Sequence, residues 1–123
     1  MILKLGILSG SVFALLSIIL GAFGAHALKD HLSQYSASIY DKAVLYQMFH
    51  ALSILLITML DYQIESGIFS SSIYCFIVGI VLFSGSLYML AITDMKWLGM
   101  ITPIGGMLFI IGWFLVLLKS INL

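Results

Sequence analysis

An all-α integral membrane bundle of four transmembrane helices with antiparallel neighbours is the fold class this chain predicts, on three observations. Four long stretches, Leu5–Leu28, Ala43–Leu60, Ser66–Thr93 and Trp97–Leu118, carry no charged side chain. Each can cross a bilayer core, which takes about 20 mainly apolar residues at about 1.5 Å of helix rise apiece. Composition agrees: 63% of the 123 residues are hydrophobic and 8% are charged, with a mean hydropathy of +1.21, against roughly 25% charge in soluble domains. The connections are short, so neighbouring helices run antiparallel and both termini share one side. Spans are expected near residues 5–28, 40–61, 69–93 and 97–119 of a single domain covering 1–123.

The first span ends in Ala25-His26-Ala27, which imitates a signal-peptide cleavage site. Its apolar run is longer than the roughly 7–15 residues of a signal-peptide core, so a retained spanning helix is expected. In the connection Lys29–Lys42, Leu28, Leu32, Tyr35 and Ile39 recur at helical spacing. This pattern predicts an interfacial turn or short helix, with Tyr35 and Tyr40 at headgroup level. The second connection is acidic, and Ser70–Ser72 are expected to cap the third helix. Asp94–Lys96 is a tight hairpin. Lysines divide three to two between the two sides, Lys29, Lys42 and Lys96 against Lys4 and Lys119, which leaves the orientation open.

In the fourth span, Thr102-Pro103 reads as a helix cap and first turn, because proline lacks the N–H that a helix start would leave unpaired. A helix beginning at Pro103 would aim its free N–H groups at an anion. The alternative, a continuous helix kinked at Pro103, is the favoured expectation.

Small residues mark the expected helix contacts, since lipid gives helices no hydrophobic incentive to associate and close backbone approach takes its place. They are Gly6, Gly10, Gly21, Gly24 and Ala25 in the first span, Gly79 and Gly85 in the third, and Gly105 and Gly106 in the fourth. A homo-oligomer is expected because four short helices bury few of their faces by themselves.

The five lysines and five acidic residues cancel and lie scattered between the apolar runs. No basic surface exists to neutralise phosphates, so nucleic acid is not an expected partner. Cys75 is expected to be a buried packing thiol. The acidic residues sit at segment ends, so neither a paired-carboxylate site nor a Ser-His-Asp set can be assembled, and hydrolysis is unsupported.

The most informative polar group is in the second span, where Tyr46, Gln47 and His50 share neighbouring parts of one helix face. His50 lies near mid-depth, where an imidazole needs a partner or a wet cavity. A neutral histidine bonded to a serine or tyrosine of an adjacent helix is the structural reading; a ligand, proton or lipid-headgroup site is the functional one. His26 closes the first helix, with Tyr40, Tyr46 and Gln47 as its expected neighbours. Two histidines on adjacent helices raise haem ligation, but their offset in depth argues against it. Zinc lacks a fourth ligand, so neither a metal nor a cofactor is expected. Ser84 and Ser86 of the third helix are read first as packing groups.

Four motifs, Gly21-Ala-Phe-Gly-Ala-His-Ala-Leu, Tyr46-Gln-Met-Phe-His-Ala-Leu, Leu82-Phe-Ser-Gly-Ser-Leu-Tyr-Met-Leu and Leu98-Gly-Met-Ile-Thr-Pro-Ile-Gly-Gly, together resemble a family of small four-span membrane proteins of unknown function. That family includes bacterial YgdD and the eukaryotic transmembrane protein 256. The resemblance implies a multi-pass membrane protein, of the inner (plasma) membrane if bacterial, and carries no activity, cofactor or catalytic residue. The positions matching its motifs are His26, Tyr46, Gln47, His50, Ser84, Ser86, Thr102 and Pro103. They are the candidate ligand- or lipid-binding residues of a non-enzymatic, oligomeric protein that binds lipid or a partner helix. A proton-linked solute carrier or pore, and a haem- or quinone-binding redox protein, are the rival readings.

Overall fold

The computed structural model describes residues 1–123 as four long helices with no strand: α1 Ile2–His26, α2 Gln34–Gln63, α3 Ser70–Thr93 and α4 Thr102–Ile121. A 3-10 turn, Lys96–Met100, leads into α4. All four helices are long and apolar enough to span a membrane. α1 packs on α2, α2 on α3 and α3 on α4; α1 only grazes α3, and neither α1 nor α2 makes backbone contact with α4. The bundle is therefore an open, folded row with α2 and α3 at its centre. Burial follows this order, at 44% of the apolar span in α2 and α3 but 17% in α1 and in the α4 span.

Two apolar clusters hold the row together. One, with Ile39, Ala43, Leu87, Leu90 and Leu98, lies toward the helix connections of the α1–α2 and α3–α4 side. The other, with Ile54, Ile57, Ile73, Phe76 and Phe109, lies toward the termini. Polar side chains fill the level between them.

Glycines set the helix separations. A methyl group on Gly6 would collide with Thr58, on Gly10 with Leu55, on Gly24 with the Tyr40 ring and on Gly79 with Phe109. On Gly105 it would collide with the backbone nitrogen of Phe83, so α3 and α4 touch there main chain to main chain. Gly21 faces Val44 at 3.3 Å, and Gly106 meets Phe83 only at an ordinary 3.6 Å. Two expected packing positions make no close helix contact within the chain: a methyl group on Gly85 would meet nothing within 4 Å, and Ala25 is exposed.

Four local expectations also change. The connection before α2 is the turn and not the short helix of the two expected, the Leu28 carbonyl accepting the His31 N–H at 3.0 Å; Ser33 caps α2 by accepting the Ser36 N–H at 3.0 Å, and the helix runs unbroken from Gln34. Tyr40 is buried against Gly24 instead of facing the lipid headgroups. α3 is not capped by Ser70–Ser72; buried Asp61 at the end of α2 accepts the Phe69 N–H at 3.2 Å, satisfying an orphan donor of the helix start. α4 is not continued through Pro103 with a kink. The chain tightens into the 3-10 turn and restarts at Thr102, with Pro103 in the first turn, where its missing N–H costs no bond. Thr102 is not the cap either, since Ile101 holds that position and the Thr102 hydroxyl turns to Ser86.

Candidate functional site

Polar groups inside a membrane protein must find partners within the protein, because lipid offers none. On the flank of α2 that faces α1 and α3 most of them do so, the buried Thr58 hydroxyl set against Gly6 being the exception. Gln47 donates its carboxamide N–H to the Phe13 carbonyl of α1 at 2.9 Å and accepts the Tyr88 hydroxyl of α3 at 2.7 Å. Tyr40 donates to the Leu20 carbonyl at 2.6 Å and meets the Tyr88 ring edge-on at 5.1 Å. Ser84 donates to the Ala43 carbonyl at 2.7 Å. Gln47 thus ties three helices together.

On the flank toward α4 the arrangement differs. His50 lies flat on Phe109, with ring centres 3.6 Å apart and planes 8° from parallel. Trp113 of α4 donates its indole N–H to His50 Nε2 at 3.1 Å, and His50 Nδ1 lies 2.9 Å from the Tyr46 carbonyl. An indole can only donate, so Nε2 is the acceptor and the ring proton sits on Nδ1, donated to that carbonyl. The imidazole is neutral, with both nitrogens engaged. Its partners are a tryptophan and its own helix, not the expected serine or tyrosine of a neighbour.

Because α2 and α4 do not touch through their backbones, a groove of about 660 Å³ runs between them with α3 as its floor. Tyr46, His50, Phe83, Pro103, Gly106 and Trp113 are among its lining. It extends along α4 from Pro103 to Trp113, a rise of about 15 Å, which is half of a bilayer core of roughly 30 Å. The Trp113–His50 bond crosses its deep end. Tyr46 is 40% exposed there, and its hydroxyl has no hydrogen bond within the chain, unlike those of Tyr40 and Tyr88.

The eight sequence candidates are therefore divided. Tyr46, His50 and Pro103 reach the groove; Gln47 and Ser84 belong to the closed seam; Ser86 and Thr102 pair at 2.5 Å and tie α3 to the start of α4. His26 joins none of these, because it is exposed two residues beyond Gly24, the position that faces α2. Sequence reasoning missed Phe83, Phe109 and Trp113. A signal existed: tryptophan is enriched at membrane interfaces, and Trp113 stands near the middle of α4, one turn after Phe109.

A family model described as "Protein of unknown function (DUF423)" matches residues 20–106, which contain all four motifs quoted above. The chain belongs to this family. Similar relatives include a UPF0382 membrane protein of Staphylococcus epidermidis, 44% identical over 124 residues and covering 98% of both chains. The UPF0382 membrane protein YwdK of Bacillus subtilis is 38% identical over 121 residues, again with 98% of both chains covered. A third, from Staphylococcus aureus, is 42% identical over 122 residues, 96% of each. No solved structure matches the chain. The resemblance drawn from the motifs is borne out as membership of a small, uncharacterised membrane family, and the chain is a multi-pass membrane protein of the plasma membrane. The family description indicates no enzymatic activity.

Proposed function

We propose that this DUF423 protein is a non-enzymatic membrane protein that holds one acyl chain of a membrane lipid in the groove between α2 and α4. The observation that carries the reading is the groove itself: apolar, one leaflet deep, and crossed at its inner end by the Trp113–His50 bond. A lipid tail needs no more than shape and apolar walls, whereas a solute path would need polar groups left free to bind and release. The proton-linked carrier draws less support, since both His50 nitrogens are committed and every carboxylate lies near a helix end or in a connection. Haem ligation through His50 Nε2 would require it to give up the Trp113 bond. Association into oligomers draws its support from the broad outer faces of α1 and α4.

Gly106 provides the test, because a side chain there meets Phe83 at ordinary contact and projects into the groove without parting the helices. Native mass spectrometry of the detergent-purified protein should show one retained lipid per chain. Gly106→Leu should lower that retention at least about tenfold, equivalent to about 1.4 kcal/mol, with an unchanged melting temperature. Equal retention in the two proteins would remove the reading. The same spectra report the number of copies.

A further inference from the structure

We infer that the bound lipid is an anionic glycerophospholipid from the leaflet opposite the termini, its phosphate at Lys42 and an ester carbonyl at the Tyr46 hydroxyl. The inference rests on the groove reading and gives its ligand a chemistry. Lys42, Tyr46 and His50 follow one another at four-residue intervals, so they form a ladder on one face of α2. At the top, Lys42 is exposed and its ammonium makes no ion pair or hydrogen bond within the chain. Asp41, its acidic neighbour, projects about 100° around the helix from it, as the 3.6-residue turn requires.

One turn deeper, a rise of about 6 Å, is the unbonded Tyr46 hydroxyl, a donor without an acceptor in a region where lipid tails supply none. Deeper still are the neutral imidazole and the aromatic walls, with no free polar atom on His50. Cation, single donor, apolar slot: the order down the ladder is the order of groups down a glycerophospholipid, from phosphate through ester to chain. The direction follows from the fold. Pro103 and Lys42 stand at the side of the α1–α2 and α3–α4 connections, and both termini lie on the other.

The test uses the full chain carrying Trp97→Phe, so that Trp113 in the groove is the sole tryptophan. It is reconstituted into phosphatidylcholine vesicles, and chain-brominated phosphatidylglycerol or chain-brominated phosphatidylcholine is added as quencher. Phosphatidylglycerol should quench Trp113 at about fivefold lower mole fraction, the factor expected of one basic residue near an anionic surface. Lys42→Gln should abolish that preference by weakening phosphatidylglycerol more than phosphatidylcholine, and Tyr46→Phe should weaken both lipids alike. Bromines near the chain end should quench more than bromines near the carboxyl, since Trp113 is at the deep end. Equal quenching by the two lipids, still lost in Gly106→Leu, would leave the groove reading standing and overturn this one. Quenching indifferent to Gly106→Leu would overturn both. Stronger quenching from bromines near the carboxyl would assign the chain to the other leaflet. Loss of the lipid preference on adding inorganic phosphate alone would assign the cation to a free anion.

Discussion

Tyr46 and Gln47 are neighbours in sequence, yet one borders the open groove and the other is sealed between three helices. A step of about 100° around α2 separates two environments with opposite logic. In the seam toward α1 and α3, each of the polar side chains Tyr40, Gln47, Ser84 and Tyr88 has its partner inside the protein. Toward α4, aromatic rings and a satisfied histidine leave one hydroxyl over. The difference teaches that intramembrane polarity is not by itself a functional signal. Polarity whose partner is missing is informative where a ligand can reach it, as at the Tyr46 hydroxyl in the groove; the unbonded Thr58 hydroxyl is buried against Gly6.

The largest expected effect comes from Gly105→Val, which attacks the wall that keeps the groove open. The added side chain meets the Phe83 backbone and not a flexible side-chain end, so α4 must move away from α3. Overpacking of this kind costs about 1–3 kcal/mol, read by reversible unfolding in mixed detergent micelles. Lipid retention should fall with it. Wild-type stability in this variant would mean that α4 is not seated on α3, and the contrast between a closed seam and a framed groove would break.

Gln47→Leu is expected next, at about 1–2 kcal/mol, because it removes two interhelical bonds and strands the Tyr88 hydroxyl. Its lipid retention should stay at the wild-type level. A variant that kept its stability but lost its lipid would reverse the roles assigned to the two flanks.

How much of this was legible follows from which forces act locally. Four helices are visible in the charge-free runs because lipid imposes that composition on every spanning segment. The start of α2 was not, since Ser33 caps through Ser36 without the acidic partner that makes a capping box recognisable. Gly79 and Gly85 look alike in sequence, but six helical steps place them on different faces and α4 covers only that of Gly79. Spacing gives a residue's face and does not say which face has a neighbour. His50 was legible as a group needing a partner. That partner is 63 residues away on a helix whose backbone never touches α2, and no local pattern encodes such a contact.

The smallest effect sharpens the comparison most. Trp113→Phe removes the indole N–H that crosses the groove but keeps an aromatic ring near Phe76, whose centre lies 5.1 Å from that of Trp113. His50 retains its Nδ1–H bond to the Tyr46 carbonyl, and only Nε2 loses its donor. In a sealed site an abandoned acceptor costs about 1–3 kcal/mol. Here the ring keeps its Nδ1–H bond and its stack on Phe109, so the expected loss is about 0.6 kcal/mol, the mean for interhelical bonds in membranes. Unfolding measured beside Gln47→Leu supplies the comparison. A loss for Trp113→Phe as large as that for Gln47→Leu would show His50 to be as enclosed as Gln47, and the groove would then be one more packed seam.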